Sequence, residues 1–239
     1  ARLYVVDAAL APIGFVLALA AVHQPAAVLL AMPLVGLLAE FARERQVRID
    51  HALELGTAYR GTALLLGDVI EADDAYTGSH SRDVVDLVRR VSERLELSRD
   101  DLRTAELVAL LHDVGKIRIP AEIIRKPGPL TPAERALIET HTIQGEQMLA
   151  KVGGLLAEVG RIVRSCHERW DGCGYPDRLA GEEIPLIARI VCCCDAFDAM
   201  TSDRPYRPAR SAGDALDEIR ACGGTQFDPA VVEALAAVV

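Results

Sequence analysis

Leu107-Val-Ala-Leu-Leu-His-Asp113 is an apolar helical stretch that ends in two ionisable side chains. Leu107, Val108, Leu110 and Leu111 must be buried, and they carry His112 and Asp113 towards the interior with them. A buried ionisable pair needs a partner, and a metal ion satisfies both side chains at once. Upstream, Ser98 with Asp101 opens the helix that should carry this stretch to about Val114. Downstream, Thr131-Pro-Ala-Glu134 combines an N-cap, Pro at the first helical position and a capping-box glutamate, so a further helix starts there. Helical patterns also cover about 79–95, 154–168, 186–201, 211–221 and 229–238, and no stretch alternates with period two. The expected class is all-α, a multi-helix bundle.

His80, His141, His167 and Asp195 are the other candidate ligands, each in or near a predicted helix. Packed helices can aim such residues at one point, as di-metal bundle enzymes do. Imidazole with carboxylate suits iron, manganese or zinc. Any one of these histidines alone would be read as a surface or satisfied core residue.

The N-terminal part has a different composition. From Ala8 to Ala39 there is no Asp, Glu, Lys or Arg, and His23-Gln24-Pro25 breaks the run. Two membrane spans at about 3–22 and 25–42 are expected, with Arg43, Arg45 and Arg48 on the cytoplasmic side of the inner membrane. The alternative is a buried helical hairpin in a soluble protein. The first residue is Ala rather than Met, so further segments are expected upstream. Ile49, Ala52, Gly56, Tyr59, Ala63, Leu66 and Ile70 then form a heptad seam. Residues 43–72 are accordingly expected to be a signalling helix that pairs two subunits, or else an amphipathic helix lying on the domain's own core. A domain from 73 to 239 follows. The net charge of −9 excludes a general surface for nucleic-acid polymers. Six cysteines, three of them adjacent at 192–194, suit buried thiols in a reducing compartment better than a disulfide framework.

Four runs in order carry a specific resemblance: Leu111-His-Asp-Val-Gly-Lys-Ile-Arg-Ile-Pro120, Lys126-Pro-Gly-Pro-Leu-Thr131, His167-Glu-Arg-Trp-Asp-Gly-Cys-Gly-Tyr-Pro176, and Asp195-Ala-Phe-Asp-Ala-Met-Thr-Ser-Asp-Arg-Pro-Tyr-Arg207. Together they resemble the HD-GYP family of cyclic di-GMP phosphodiesterases. The resemblance implies two divalent metal ions, iron or manganese before zinc, with His80, His112, Asp113, His141, Cys166, His167 and Asp195 at ligand positions and Asp113 bridging. It implies that Lys116 neutralises phosphate or protonates the leaving oxygen, and that Tyr175, Asp198, Arg204 and Arg207 hold the dinucleotide. The implied reaction opens cyclic di-GMP to linear pGpG and then to GMP. The whole would be a membrane-tethered homodimer with its catalytic domain in the cytoplasm.

Two positions depart from the family pattern. Cys166 stands where the family has a first histidine before His167, and Tyr76 stands where relatives with a third metal have a carboxylate. Cys166 could act as a thiolate ligand or as a buried thiol beside a weakened site. Two other functions therefore stay open: a degenerate module that binds nucleotide without turnover, and a phosphohydrolase of the wider HD superfamily with another nucleotide substrate.

Overall fold

Leu186-Ile-Ala-Arg-Ile-Val-Cys-Cys-Cys-Asp-Ala-Phe-Asp-Ala-Met-Thr201 is apolar on almost every side for its first half, which suits a helix surrounded by others. The computed structural model describes residues 32–73, 80–203 and 208–239, with scattered positions between 14 and 29. It divides into two units, Ala1–Ala58 and Tyr59–Val239. In chain order the helices are α1 (Met32–Asp73), α2 (His80–Arg94), α3 (Arg99–Leu111), α4 (Ala121–Ile124), α5 (Pro132–Glu139), α6 (His141–Val152), α7 (Gly154–Val163), α8 (Leu186–Thr201), α9 (Ala212–Ala221) and α10 (Pro229–Ala236), with 3₁₀ turns at Val114–Arg118 and Gly181–Glu183. Among the described residues there is no strand, as expected for an all-α chain.

In the second unit α8 is central and packs against α2, α3, α7, α9 and α10. Ile187, Ile190, Val191, Cys193 and Cys194 of α8 meet Val84, Val88 and Val91 of α2 and Val108 and Leu111 of α3 in one buried cluster. Each Val, Leu or Ile side chain among them contributes about 1.5–3 kcal/mol when fully buried. The three adjacent cysteines serve as small core residues, and all six cysteines are free thiols. Arg189 interrupts the apolar run, and it is satisfied by Asp228 at 2.5 Å and by the Ile184 carbonyl at 2.9 Å.

Helix starts follow the capping residues. Ser98 Oγ accepts from Asp101 N at 3.2 Å to open α3. At α5 the Thr131 hydroxyl accepts from Glu134 N, and Glu134 accepts from Thr131 N at 2.7 Å, a complete capping box. Lys126 Nζ reaches Glu134 Oε2 at 2.6 Å, so the Lys-Pro-Gly-Pro turn is pinned to that cap.

Helix ends depart from the sequence expectations. The helix expected to reach Val114 stops at Leu111, because the backbone tightens into a 3₁₀ turn that begins after Asp113. The helix expected over 154–168 stops at Val163, because 164–185 are taken up by a long loop with its own hydrogen bonds.

Helix α1 starts at Met32, is uncharged as far as Ala39 and runs on to Asp73, so the described end of the second expected span and the signalling segment share one continuous helix. Most of the expected hairpin lies outside the described residues. Among the described residues no helix is long and apolar enough to cross a membrane. Of the heptad positions, Ile49 and Ala52 are exposed.

Candidate metal centre

His112 closes α3 and Asp113 opens the 3₁₀ turn, so the helix end itself aims both side chains at one place. Val114 and Gly115 bury the turn. A Cβ on Gly115 would overlap the His141 carbonyl oxygen and come within 2.6 Å of Gly145 N. Only glycine admits α6 this closely, and the approach carries His141 Nε2 to 3.4 Å from Asp113 Oδ1. On the other side His112 Nε2 lies 3.5 Å from Asp113 Oδ2 and 3.9 Å from Asp195 Oδ1, the latter reaching in from α8. Lys116 Nζ sits 2.8 Å from Asp113 Oδ2.

The tautomers follow from the partners. His112 Nδ1 donates to the Ala109 carbonyl at 2.8 Å, and His141 Nδ1 donates to the Ile138 carbonyl at 2.7 Å. Each ring therefore presents an Nε2 lone pair inward when neutral. The Nε2 atoms of His112, His141 and His167 are all buried without a hydrogen-bond partner. Three orphaned acceptors around a carboxylate are what a divalent cation satisfies, so the residues present fit a metal ion. One ligand atom each from Asp113, His141 and His167 lies within 4.8 Å of the others.

Electrostatics agree with that use. Burial pushes His167 down to about 4, helped by His141 and opposed by Asp113 and Asp195. Burial likewise lowers His141. Burial alone would raise Asp113, but Lys116 and the three histidines hold it well below the usual carboxylate range. The site thus sets a carboxylate held ionised beside Lys116 against His141 and His167, whose burial favours the neutral ring.

Tyr175 stacks on His167, with ring centroids 5.2 Å apart and planes at 19°. Its backbone N donates to the His167 carbonyl at 3.2 Å. Gly174 is required by close approach, since a Cβ there would stand 2.6 Å from Glu168 Cα. Beside Tyr175 a cleft of about 610 Å³ opens, lined by Glu139, Thr140, Ile143, Gly174, Tyr175 and Arg178.

The expected ligands and substrate contacts thus divide into groups. His112, Asp113, His141, His167 and Asp195 converge, with Lys116 and Tyr175 against them. Cys166 is adjacent but buried, and its thiol donates to the Ile162 carbonyl at 3.6 Å. Burial pushes this thiol well up, and the nearby Cys192, Asp113 and Asp195 add to the effect, so it keeps its proton. Asp198 is buried on α8 and accepts from Ser202 Oγ at 3.3 Å. His80 is the first residue of α2, but its side chain lies outside the described residues, as do Arg204, Arg207 and Tyr76 entirely.

Several supporting residues were not singled out by the sequence. Arg164 pairs with Asp177 at 2.5 Å and with Glu146 at 2.8 Å, tying the Tyr175 loop to α6. Glu168 is buried and accepts from Asp177 N at 2.7 Å, and burial raises its carboxyl. Glu168 lies within the His167–Pro176 run and Asp177 directly follows it, and that proximity was the available hint.

A family model described as an HD domain matches residues 65–231. The chain belongs to the HD domain family. Its Gly-Tyr-Pro loop, stacked against His167, makes it an HD-GYP member. It is 38% identical over 202 residues to the cyclic di-GMP phosphodiesterase response regulator RpfG of Xanthomonas campestris pv. campestris, covering 82% of this chain and 53% of that protein. It is 34% identical over 171 residues to the 3'3'-cGAMP-specific phosphodiesterase 2 of Vibrio cholerae, covering 71% of this chain and 33% of the relative. The HD-GYP chain thus spans about half or less of the length of these relatives. A solved HDG"Y"P protein from Bdellovibrio bacteriovorus shares the fold, with a TM-score of 0.58 at 18% identity over 77% of this chain and 64% of that one.

Proposed function

We propose that this HD-GYP chain is a metal-dependent phosphodiesterase that hydrolyses cyclic di-GMP. The observation that carries the reading is the set of three buried, unpartnered Nε2 atoms around Asp113, with Tyr175 stacked on His167 and lining a cleft of about 610 Å³. The names of the relatives agree with it. When bound, two divalent ions, iron or manganese before zinc, supply positive charge for the phosphate and an activated water. His112, Asp113, His141, His167 and Asp195 hold them, with His80 as a further ligand. The hydrogen bond from Cys166 to the Ile162 carbonyl supports leaving that residue outside the proposed set.

The chain's own groups do the rest. Lys116, held 2.8 Å from Asp113, carries a cation and a proton to the leaving ribose oxygen. Tyr175 supplies a flat ring for the base. Asp198, Arg204 and Arg207 complete the dinucleotide contacts. The products are pGpG and then GMP.

Cys166 favours a second reading, a module that binds the dinucleotide without turnover. Comparing cyclic di-GMP with other cyclic and linear nucleotides under identical metal loading distinguishes the readings. Preferential opening of cyclic di-GMP supports the first. Faster hydrolysis of an unrelated nucleotide contradicts it and favours another HD phosphohydrolase.

The uncharged run up to Ala39, with Arg43, Arg45 and Arg48 after it, supports tethering to the inner membrane with the catalytic part in the cytoplasm, and the heptad over 43–72 supports a homodimer. Recovery of the chain in the membrane fraction, resistant to high salt, is the expected result; recovery in the supernatant contradicts it.

A further inference from the structure

Two charged side chains line the cleft beside Tyr175 and serve neither the metal centre nor the fold. Glu139, at the end of α5, is half-buried, and Arg178, two residues past Pro176, is exposed. Among the described residues, neither side chain has a hydrogen-bond or ion-pair partner, in contrast to neighbouring Arg164, Arg169, Asp171 and Asp177. The Glu139 carboxylate therefore keeps its acceptor oxygens available to a ligand in the cleft. Arg178 also sits at φ +58°, a left-handed conformation that costs a residue with a Cβ about 1–2 kcal/mol. An unpartnered carboxylate and an arginine in a strained conformation in one cleft, next to the ring stacked on His167, mark positions kept for a ligand.

Their chemistry names the group. A carboxylate is acceptor-only, and its two oxygens match two adjacent donors. Guanine offers such a pair in its N1–H and 2-amino group, and O6 and N7 beside them accept from a guanidinium. Adenine turns an acceptor, N1, to the same carboxylate. We propose that Glu139 and Arg178 read the base of the bound nucleotide and make the cleft select guanine over adenine. The inference deepens the cyclic-dinucleotide reading above and rests on it. Glu139 takes the N1 and 2-amino edge, Arg178 takes O6 and N7, and Tyr175 covers the face. A ligand with one guanine, such as 3'3'-cGAMP, then binds in one orientation only, and cyclic di-AMP has no good one.

The test is equilibrium binding of cyclic di-GMP, 3'3'-cGAMP and cyclic di-AMP to the full chain loaded with manganese, with turnover followed separately. The wild type should prefer cyclic di-GMP to cyclic di-AMP by about 10²-fold or more, since a site built to hydrogen-bond one edge leaves its groups unpaired against another. In Glu139→Gln the preference should fall at least about tenfold, because an amide oxygen takes only one of the two guanine donors while its own N–H can donate to adenine N1. Arg178→Gly should raise the melting temperature, since glycine accepts φ +58°, yet weaken cyclic di-GMP binding about 10–100-fold. A merely structural Arg178 would show the first effect without the second. An unchanged guanine preference in Glu139→Gln overturns the assignment, even where hydrolysis is normal. Selective binding without hydrolysis upholds it and counts against the activity instead. Binding of none of the three overturns both.

Discussion

Gly115 lies directly against the His141 carbonyl, and this contact, made without any side chain, sets the distance between two proposed metal ligands. The residue after the His-Asp pair and its valine must be glycine for α6 to start where it does. Gly115→Ala should therefore separate His141 from Asp113 and destabilise the fold by about 1–3 kcal/mol, the range for overpacking. Thermal melts with metal analysis check this: a lower melting temperature with reduced metal content is expected, and wild-type values for both would contradict the contact.

Asp113 accepts charge from Lys116 and faces two imidazoles, so no other residue can replace it. Asp113→Ala should reduce metal affinity by more than the roughly 10–100-fold that loss of an outer-shell partner costs, and should abolish turnover. Persistent hydrolysis in this variant would place the centre elsewhere.

The Cys166 thiol donates to the Ile162 carbonyl. Cys166→Ala is expected to keep the wild-type metal stoichiometry while losing some stability to a small cavity. Elemental analysis decides, and a loss of one metal per chain would make the thiolate a ligand after all.

Much of this arrangement was legible in the sequence, for identifiable reasons. Ser98 and Thr131 announce helix starts because capping is a local property of three or four residues. The 186–201 helix was legible because its apolar content is high and Pro185 precedes it. The break between α5 and α6 was not, since Glu139-Thr140-His141 contains neither Gly nor Pro. Likewise Arg164 with Asp177 is a tertiary pair thirteen positions apart in a loop, where no periodicity exists to reveal it. The ligand set was read from an ordered family pattern, whereas the orientation of each imidazole depends on the Ala109 and Ile138 carbonyls.

His167 links stability to pH. Its folded value of about 4 lies below the 6.5 of a free imidazole, so between those values the unfolded chain holds more protons. Its stabilising effect is complete above pH 6.5 and is lost as pH falls towards 4, amounting to about 3 kcal/mol at most. Denaturant titrations of metal-free protein at pH 7 and pH 5 should show the wild type losing stability, with a smaller loss in His167→Gln. Equal slopes in the two proteins would mean that His167 is not buried as a neutral ring.

The central claim is that the Asp113 centre opens cyclic di-GMP, and anaerobic reconstitution with iron or manganese followed by product analysis tests it most directly. The account predicts linear pGpG, followed by GMP, from metal-loaded wild type and neither product after chelation. Tight binding of cyclic di-GMP with no product under any metal, together with hydrolysis restored in Cys166→His, would contradict it and identify the chain as a binding module.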